Sequence, residues 1–291
     1  MSSQAVEALK LIHKQVEKVI QQIDDDDWER DSLCEGWRVQ EVFAHMSSNM
    51  KEAINPTPPP ETEQEPLKAE DAMEALVAPR REWTAQELLD EYAQYFESWV
   101  EWMTALQEEP TASTMVPLAD LGTYPLHMMA NAFAFDHYCH LYVDILAPEG
   151  PLTIEVDPGN DEMIRPGIEW MIAGMPQMQA QELAAVVTQP LEIELTGPGG
   201  GTWTVQPAGD DGLITVPPRA NLGANATVTS TAHDFVSWGT KRSDWRSTCS
   251  IDGDEAYAST VLDPLISSSY RVKDGGVNCP ELALIPPSTG R

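Results

Sequence analysis

The sequence predicts an α+β protein, with a four-helix bundle over residues 1–148 followed by a small α+β domain over residues 149–291. In the first half, apolar residues recur at three- and four-residue steps, the period of a helix with one buried face. After Pro148 the chain shifts to short segments with alternating or β-branched residues and a glycine-rich turn, which are typical of strands. A chain of 291 residues is long enough for two such domains.

Four long helices account for most of the first half, and four apolar stripes suggest a bundle. The third has a clear start, because Thr84 and Glu87 have the spacing of a capping box. A connecting loop is predicted at Trp28–Trp37, and a mobile, proline-rich excursion at 55–68. The predicted helices are 4–23, Val39–Ile54, from Thr84 to near Pro110, and from Pro125 to just before Pro148.

The second half is predicted to contain four strands and three helices, with a turn at Gly197–Gly201. The strands are Leu191–Leu195, Trp203–Val205, Leu213–Val216 and Ala226–Ser230. The helices are Asp161–Gly174, Ala232–Thr240 and Asp254–Leu265.

The charge of the chain restricts the classes of partner that it can bind. Its 47 acidic and 17 basic side chains give a formal net charge of -30, and no Lys or Arg lies between Arg81 and Arg165. Binding of nucleic acid requires cations that displace counterions from phosphates, so that class is nearly excluded, and an anionic membrane surface is disfavoured. The acidity indicates either a heavily solvated surface or adaptation to a salty environment.

Several features of the sequence point to a cytoplasmic protein. No segment approaches the roughly 20 apolar residues of a membrane span, and the N-terminus lacks the basic start and apolar core of a signal peptide. The cysteines have no paired spacing, which indicates reduced thiols. They are Cys34, Cys139, Cys249 and Cys279.

The most informative feature is the spacing of Asp136 and His140 on the fourth predicted helix. Residues four apart share a helix face, and this helix is otherwise apolar, so both ionisable groups need partners. A divalent metal is one such partner, and His45 on the second helix is the candidate third ligand. Three protein ligands leave an open position, as in catalytic rather than structural sites. The alternative is that both are hydrogen-bonded core residues, and spacing alone does not exclude it.

Three neighbouring residues qualify this hypothesis. Asp144, four residues beyond His140, extends the stripe as a carboxylate that orients His140, or is simply a charge near the helix end. His137 lies about 100° around the helix from Asp136, so one of His137 and His140 is expected to face away from the site. His127 lies on roughly the opposite face, which indicates a structural role.

The segment Ser32-Leu-Cys-Glu-Gly-Trp-Arg-Val, leading into the helix of His45, resembles the N-terminal signature of the mycothiol-dependent maleylpyruvate isomerase family, a branch of the DinB-like metalloenzymes. Asp136, His140 and Asp144 match the family's later pattern of carboxylate, His and Asp. Residues 227–265 are similar to the end of the family's small C-terminal domain, which is related to sterol-carrier-like folds. The resemblance covers most of the chain.

The resemblance implies a DinB-like four-helix bundle that binds Zn²⁺ or another divalent first-row metal through His45, Asp136 and His140, with Asp144 assisting catalysis. It also implies a low-molecular-weight thiol, mycothiol or a similar one, as cosubstrate, and a small electrophile as substrate. The expected enzyme is an S-transferase or a maleylpyruvate-type cis–trans isomerase. The expected state is a monomer or homodimer with neither nucleic acid nor membrane as partner.

The chain departs from the family pattern at two places. Asp136 replaces the more usual Glu, which is one methylene longer. In the segment Trp238-Gly-Thr-Lys-Arg242 the basic residue is displaced from its usual position. Arg242 therefore either binds the cosubstrate or a substrate carboxylate, or is a surface cation.

Other assignments stay open from the sequence. The segment Pro56–Pro66 is either a lid or a disordered loop. Cys34 and Cys139 are expected to pack in the core rather than act as nucleophiles. The alternative functions are a non-catalytic metal-binding or regulatory protein of the same fold, and a metal-dependent hydrolase.

Overall fold

The structure, a computed structural model, describes residues 3–58, 68–178, 180–218 and 223–267. Most of the predicted excursion at 55–68 therefore lies outside the described residues, as does Cys279. The described part contains ten α-helices and six strands. The helices are α1 (Ser3–Ile20), α2 (Asp25–Trp28), α3 (Val39–Ile54), α4 (Ala69–Val77), α5 (Ala85–Ala105), α6 (Met129–Cys139), α7 (Asp161–Met178), α8 (Ala180–Val186), α9 (Ala232–Gly239) and α10 (Glu255–Ser267).

The long helices of the first half pack side by side around an apolar core. α3 packs along α5, while α1 contacts both α5 and α6. Glu91 on α5 joins two neighbours, because it accepts from the Ser47 hydroxyl on α3 (2.8 Å) and from Arg80, which follows α4 (2.8 Å). Among the described helices, none is long and apolar enough to cross a membrane.

α7 lies against the helices that precede it in the chain, packing along both α6 and α1. It also contacts α9, so it lies between the first-half helices and the second half. Gly199, in the turn between two strands, approaches α7 so closely that an added Cβ would lie 2.6 Å from the Ile164 side chain. Its φ of +75° also favours glycine at this position. Contact with the first-half helices thus continues past residue 148.

The second half contains a four-stranded mixed sheet with the order β4-β3-β5-β6, and the first half contains a short hairpin, β1-β2. In the sheet, β3 and β5 are parallel while the outer pairs are antiparallel. Side chains on β3 alternate between buried and more exposed positions, as expected for a sheet covered on one face. The strands are β1 (Met115–Leu118), β2 (Gly122–Pro125), β3 (Leu191–Thr196), β4 (Gly201–Val205), β5 (Ala226–Thr231) and β6 (Ser250–Gly253).

Most predicted elements of the second half are confirmed, but one predicted strand is wrong. Residues 213–216 form a single isolated bridge, between Thr215 and Gln206. Two prolines follow directly, and neither can donate to a ladder. The elements α2, α4, α8, the β1-β2 hairpin and β6 were not predicted, because they are too short for periodicity to reveal them.

The predicted capping box at the start of α5 is confirmed, and it provides a test of local stability. Thr84 Oγ1 accepts from the Glu87 N–H, and Glu87 Oε2 accepts from the Thr84 N–H (2.8 Å). We expect Thr84→Ala to lower the free energy of unfolding by about 1 kcal/mol in urea titrations, because the Glu87 N–H loses its side-chain acceptor. Thr104→Ala, exposed in the last turn of the same helix, should change it little or raise it slightly. Equal losses in both variants would contradict a specific capping effect.

Candidate metal centre

His45 lies in the middle of α3, and the loop before that helix determines how it enters the core. The Ser32 hydroxyl donates to the Trp37 carbonyl (2.7 Å) and accepts from the Cys34 N–H (3.1 Å), which closes the loop into a tight turn. The Leu33 N–H donates to the main-chain carbonyl of Asp144 (3.0 Å). The loop that precedes His45 is therefore joined directly to the segment that contains His140.

Trp37, the last residue of this loop, lies beside the two histidines. Its ring centroid is 5.2 Å from that of His45 and 6.3 Å from that of His140. Its indole N–H donates to Glu74 on α4 (3.2 Å), which fixes the orientation of the ring. Trp37 thus forms one wall of the site, and α4 supports it from outside.

His45, Asp136 and His140 converge in the core. Asp136 Oδ1 lies 3.2 Å from His45 Nε2 and 3.5 Å from His140 Nε2. The three candidate ligand atoms all lie within 4.8 Å of one another, and no residue of the three is more than 2 % exposed. Within the described part of the chain, a search for three or more His, Cys, Asp or Glu side chains that could hold a metal ion finds this group.

The fourth predicted helix changes character at this site. It is α-helical only to Cys139, and residues His140–Ile145 form a wider π-helical segment in which the Leu146 N–H bonds to the Leu141 carbonyl, five residues back. On a regular α-helix, side chains four apart drift by about 40° around the axis. A wider turn reduces that drift, so His140 and Asp144 can both point into the core. π-turns inside helices are frequent at functional sites.

Asp144 determines which nitrogen of His140 is available to the site. Its Oδ2 lies 2.7 Å from His140 Nδ1. An ionised carboxylate can only accept, so Nδ1 carries the hydrogen and the lone pair is on Nε2, the atom near Asp136. Asp144 itself is fully buried and is held by Arg242 through two bonds, Nε to Oδ1 at 2.5 Å and Nη2 to Oδ2 at 2.7 Å.

Neighbouring groups stabilise both buried carboxylates of the site in their ionised form. Burial by itself would raise the pKa of Asp136, but the neighbouring imidazoles of His45 and His140 more than offset this, and the pKa lies well below its usual value. Burial opposes ionisation of Asp144 in the same way, and Arg242 with His140 offsets it, so the pKa of that carboxyl is also lowered. Both carboxylates are therefore ionised near neutral pH.

Two further polar residues contact the group. Asn49, four residues after His45, approaches His45 Nε2 with its Nδ2 at 2.9 Å, and its Oδ1 has no hydrogen-bond partner among the residues described. Asp136 Oδ2 is also buried and unbonded within the described part of the chain. The site therefore offers two imidazole nitrogens, one carboxylate and an unsatisfied oxygen. Divalent first-row metals bind ligands of these types. The donor set therefore fits such an ion.

Comparison with known proteins agrees with this geometry. The model of the family "Mycothiol maleylpyruvate isomerase N-terminal domain" matches residues 9–142. Residues 9–142 are therefore similar to that domain. The matched region includes His45, Asp136 and His140, whereas Asp144 and Arg242 lie beyond it. A search of curated proteins finds no match.

Solved structures extend the similarity beyond the matched domain. A crystal structure of a mycothiol-dependent maleylpyruvate isomerase is 14 % identical with a TM-score of 0.50, covering 87 % of this chain and 96 % of that one. The chain therefore shares that protein's mixed helix-and-sheet fold. A histidine-to-alanine mutant of such an isomerase aligns with the same coverage at 15 % identity and a TM-score of 0.48.

A third structure resembles only part of the chain. The sterol carrier protein domain 2 of Helicoverpa armigera is 14 % identical, with a TM-score of 0.29, and covers 36 % of this chain and 87 % of its own. At that score, the sterol-carrier-like character of the second half stays a prediction.

The structure brings together every residue that the sequence singled out for the site. His45, Asp136 and His140 form the group, Asp144 contacts His140, and Arg242 contacts Asp144. The alternative of Arg242 as a surface cation is wrong, because its side chain is only 5 % exposed. Two of its nitrogens bind Asp144, so a direct contact with a cosubstrate stays a prediction.

The sequence did not identify Asn49, Trp37 and His137 as neighbours of the group. Asn49 has a recognisable signal, since it follows His45 by four residues on one helix face. Of His137 and His140, only His140 belongs to the group, in line with the expectation that one of them faces away from it. His137 is nevertheless buried close by, with its Nε2 3.9 Å from Asp136 Oδ2. His127 instead bonds to the Ala112 carbonyl through Nδ1 (3.0 Å), in line with a structural role.

Proposed function

We propose that this protein is a divalent-metal-dependent enzyme that activates a low-molecular-weight thiol, mycothiol or a similar one, for addition to a small electrophile. The convergence of His45, Asp136 and His140 in a buried group carries the proposal. The family match of residues 9–142 supports the choice of thiol. The proposed activity is that of an S-transferase or of a maleylpyruvate-type cis–trans isomerase.

The side chains of the chain have separate roles in this proposal. His45, Asp136 and His140 would hold Zn²⁺ or another divalent first-row ion, which stabilises the thiolate form of a thiol bound to it. Asp144 keeps His140 in the tautomer whose Nε2 lone pair faces the group. Arg242 compensates the buried charge of Asp144 and would thereby act on the cosubstrate site indirectly.

Burial of the group contributes to the same chemistry. Water competes poorly where no ligand is more than 2 % exposed, and electrostatic interactions are stronger in such surroundings. Trp37 forms the wall beside both histidines and excludes solvent from that side. A thiolate formed there would be less hydrated, and so more reactive, than one in bulk water.

The proposed architecture extends to the whole chain. The packing of α1, α3, α5 and α6 supports a DinB-like four-helix bundle as the metal-binding domain, over residues 1–148. Residues 149–291 would form the small α+β domain, of sterol-carrier-like type. Because α7 packs on α1 and α6, this second domain would be attached firmly to the first.

Metal analysis combined with a thiol-conjugation assay tests the proposal. We expect about one equivalent of bound divalent metal per chain, from the three-ligand group found among the described residues. With mycothiol and a bimane electrophile, and separately with maleylpyruvate, turnover should disappear after treatment with a chelator and return when Zn²⁺ is added. Full metal occupancy without thiol-dependent turnover would contradict the enzymatic proposal and favour a binding protein.

A further inference from the structure

Asp136 has two oxygens with different surroundings. Oδ1 faces the imidazoles of His45 and His140, at 3.2 and 3.5 Å. Oδ2 has no hydrogen-bond partner among the described residues, although the side chain is only 1 % exposed. An ionised oxygen that is buried without a donor is costly, so this atom requires a partner.

The adjacent residue supplies a matching group. His137 is fully buried, and neither of its ring nitrogens has a hydrogen-bond partner within the described ranges. Its Nε2 lies 3.9 Å from Asp136 Oδ2, about 1 Å more than a hydrogen bond requires. One unsatisfied acceptor and one unsatisfied ring nitrogen thus face each other across a gap that a small side-chain rotation closes.

The orientation of the His137 ring is determined by packing. Trp99 on α5 stacks on it at 5.2 Å between centroids and 19° between planes, and Tyr92 lies 6.4 Å away. A ring held in this way cannot turn out to solvent. It faces Asp136 without being one of the three grouped ligands.

We propose that His137 is a positioning residue, which donates its Nε2–H to Asp136 Oδ2 and so directs Oδ1 of the carboxylate toward the metal. The inference rests on the proposed function, because orientation of Asp136 matters only if Asp136 binds an ion. Ligating carboxylates commonly have such outer partners, which hold the side chain in its ligating rotamer. For Asp136 the partner is the next residue in the chain, held in place by stacking from a different helix.

Two substitutions separate donation from packing. His137→Phe keeps a flat ring against Trp99 but removes the donor, whereas His137→Gln keeps an amide N–H near the position of Nε2. In chelator competition we expect Zn²⁺ affinity to fall about 10–100-fold in the Phe variant and by less than about threefold in the Gln variant. Wild-type affinity in His137→Phe, or equal losses in both variants, would overturn the inference.

The matched control is His13→Phe. His13 is also a stacked histidine, with its ring 3.4 Å from that of Phe96, but it is not part of the metal group. Its substitution should leave Zn²⁺ affinity unchanged. If His13→Phe lowers Zn²⁺ affinity as much as His137→Phe does, the role assigned to His137 is overturned. Replacing any stacked histidine would then have the same effect.

Nitrogen-15 NMR of the histidine rings gives a readout that needs no substitution. With Zn²⁺ bound, the wild-type His137 ring should be the Nε2–H tautomer with a hydrogen-bonded proton. An Nδ1–H tautomer would overturn the inference even if His137→Phe fails to fold. If the wild-type protein binds no metal, the proposed function is contradicted instead. The tautomer of His137 in the metal-free protein would then still test the hydrogen bond from His137 to Asp136.

Discussion

His45→Ala should abolish metal binding while leaving the chain folded. The variant loses one of three ligands, so its Zn²⁺ affinity should fall by more than the roughly 10–100-fold that follows loss of an outer partner. Truncation of a buried ring costs about 2–5 kcal/mol, which a domain of ordinary stability of about 5–15 kcal/mol can tolerate. Metal content after dialysis measures the first effect, and circular dichroism with urea titration measures the second.

The matched control for this prediction is His13→Ala, which truncates a partly buried histidine outside the metal group. It should retain about one equivalent of metal, since all three ligands remain. His45→Gln, which leaves less empty space, should lose metal as His45→Ala does. Full metal retention in either His45 variant would refute the site assignment, since Asp136 and His140 alone would then suffice.

Removal of the cation at Arg242 should have the largest effect on stability. Asp144 is completely buried, and Arg242, which is 5 % exposed, holds it through two hydrogen bonds. In Arg242→Met the carboxylate is left as a buried charge, and His140 is its remaining side-chain partner among the described residues. We therefore expect a loss of about 3–5 kcal/mol in the free energy of unfolding. Urea titration of the metal-free protein measures this loss.

A double-mutant cycle separates the pair from its surroundings. Asp144→Asn removes the charge but keeps the shape, so the double variant Asp144→Asn, Arg242→Met should recover most of the stability that Arg242→Met loses. The double variant should still bind Zn²⁺ about 10–100-fold more weakly, because His140 loses the carboxylate that orients it. Unchanged Zn²⁺ affinity in Asp144→Asn would contradict the role of Asp144.

Arg246→Met is the control for this cycle. Arg246 lies four residues after Arg242 and pairs with Asp263, but both side chains are about half exposed. Exposed ion pairs contribute only about 0–1 kcal/mol, so the variant should unfold nearly as the wild type does. A loss as large as that of Arg242→Met would show that burial is not the cause of the effect.

The fold was predictable where the pattern of the sequence is long and regular. The helix Val39–Ile54 was predicted with the observed bounds, because a buried stripe of four turns ends at a proline-rich stretch. The start of α5 was predicted from the capping pair Thr84 and Glu87. Short elements were missed, since three or four residues, such as those of β1 and β6, do not display a period.

The candidate site was predictable in its members but not in its connections. Spacing along one helix identified Asp136 and His140, and the resemblance added His45. The π-helical segment was not predictable, because the wider turn depends on partners distant in the chain, such as the Leu33 N–H that bonds to the Asp144 carbonyl. The stacking of Trp99 on His137 likewise requires α5 and α6 to be packed together.

The sequence by itself determined the fold class, the long helices and the residue types that can bind a metal, because each of these follows from local residue spacing and composition. Only the tertiary structure decided what the charges do. It buried Asp144 beneath Arg242, a residue 98 positions away, and turned His137 toward Asp136. Burial makes such pairings obligatory, since an ionised group removed from water must find a partner, and which partner it finds depends on how the helices pack.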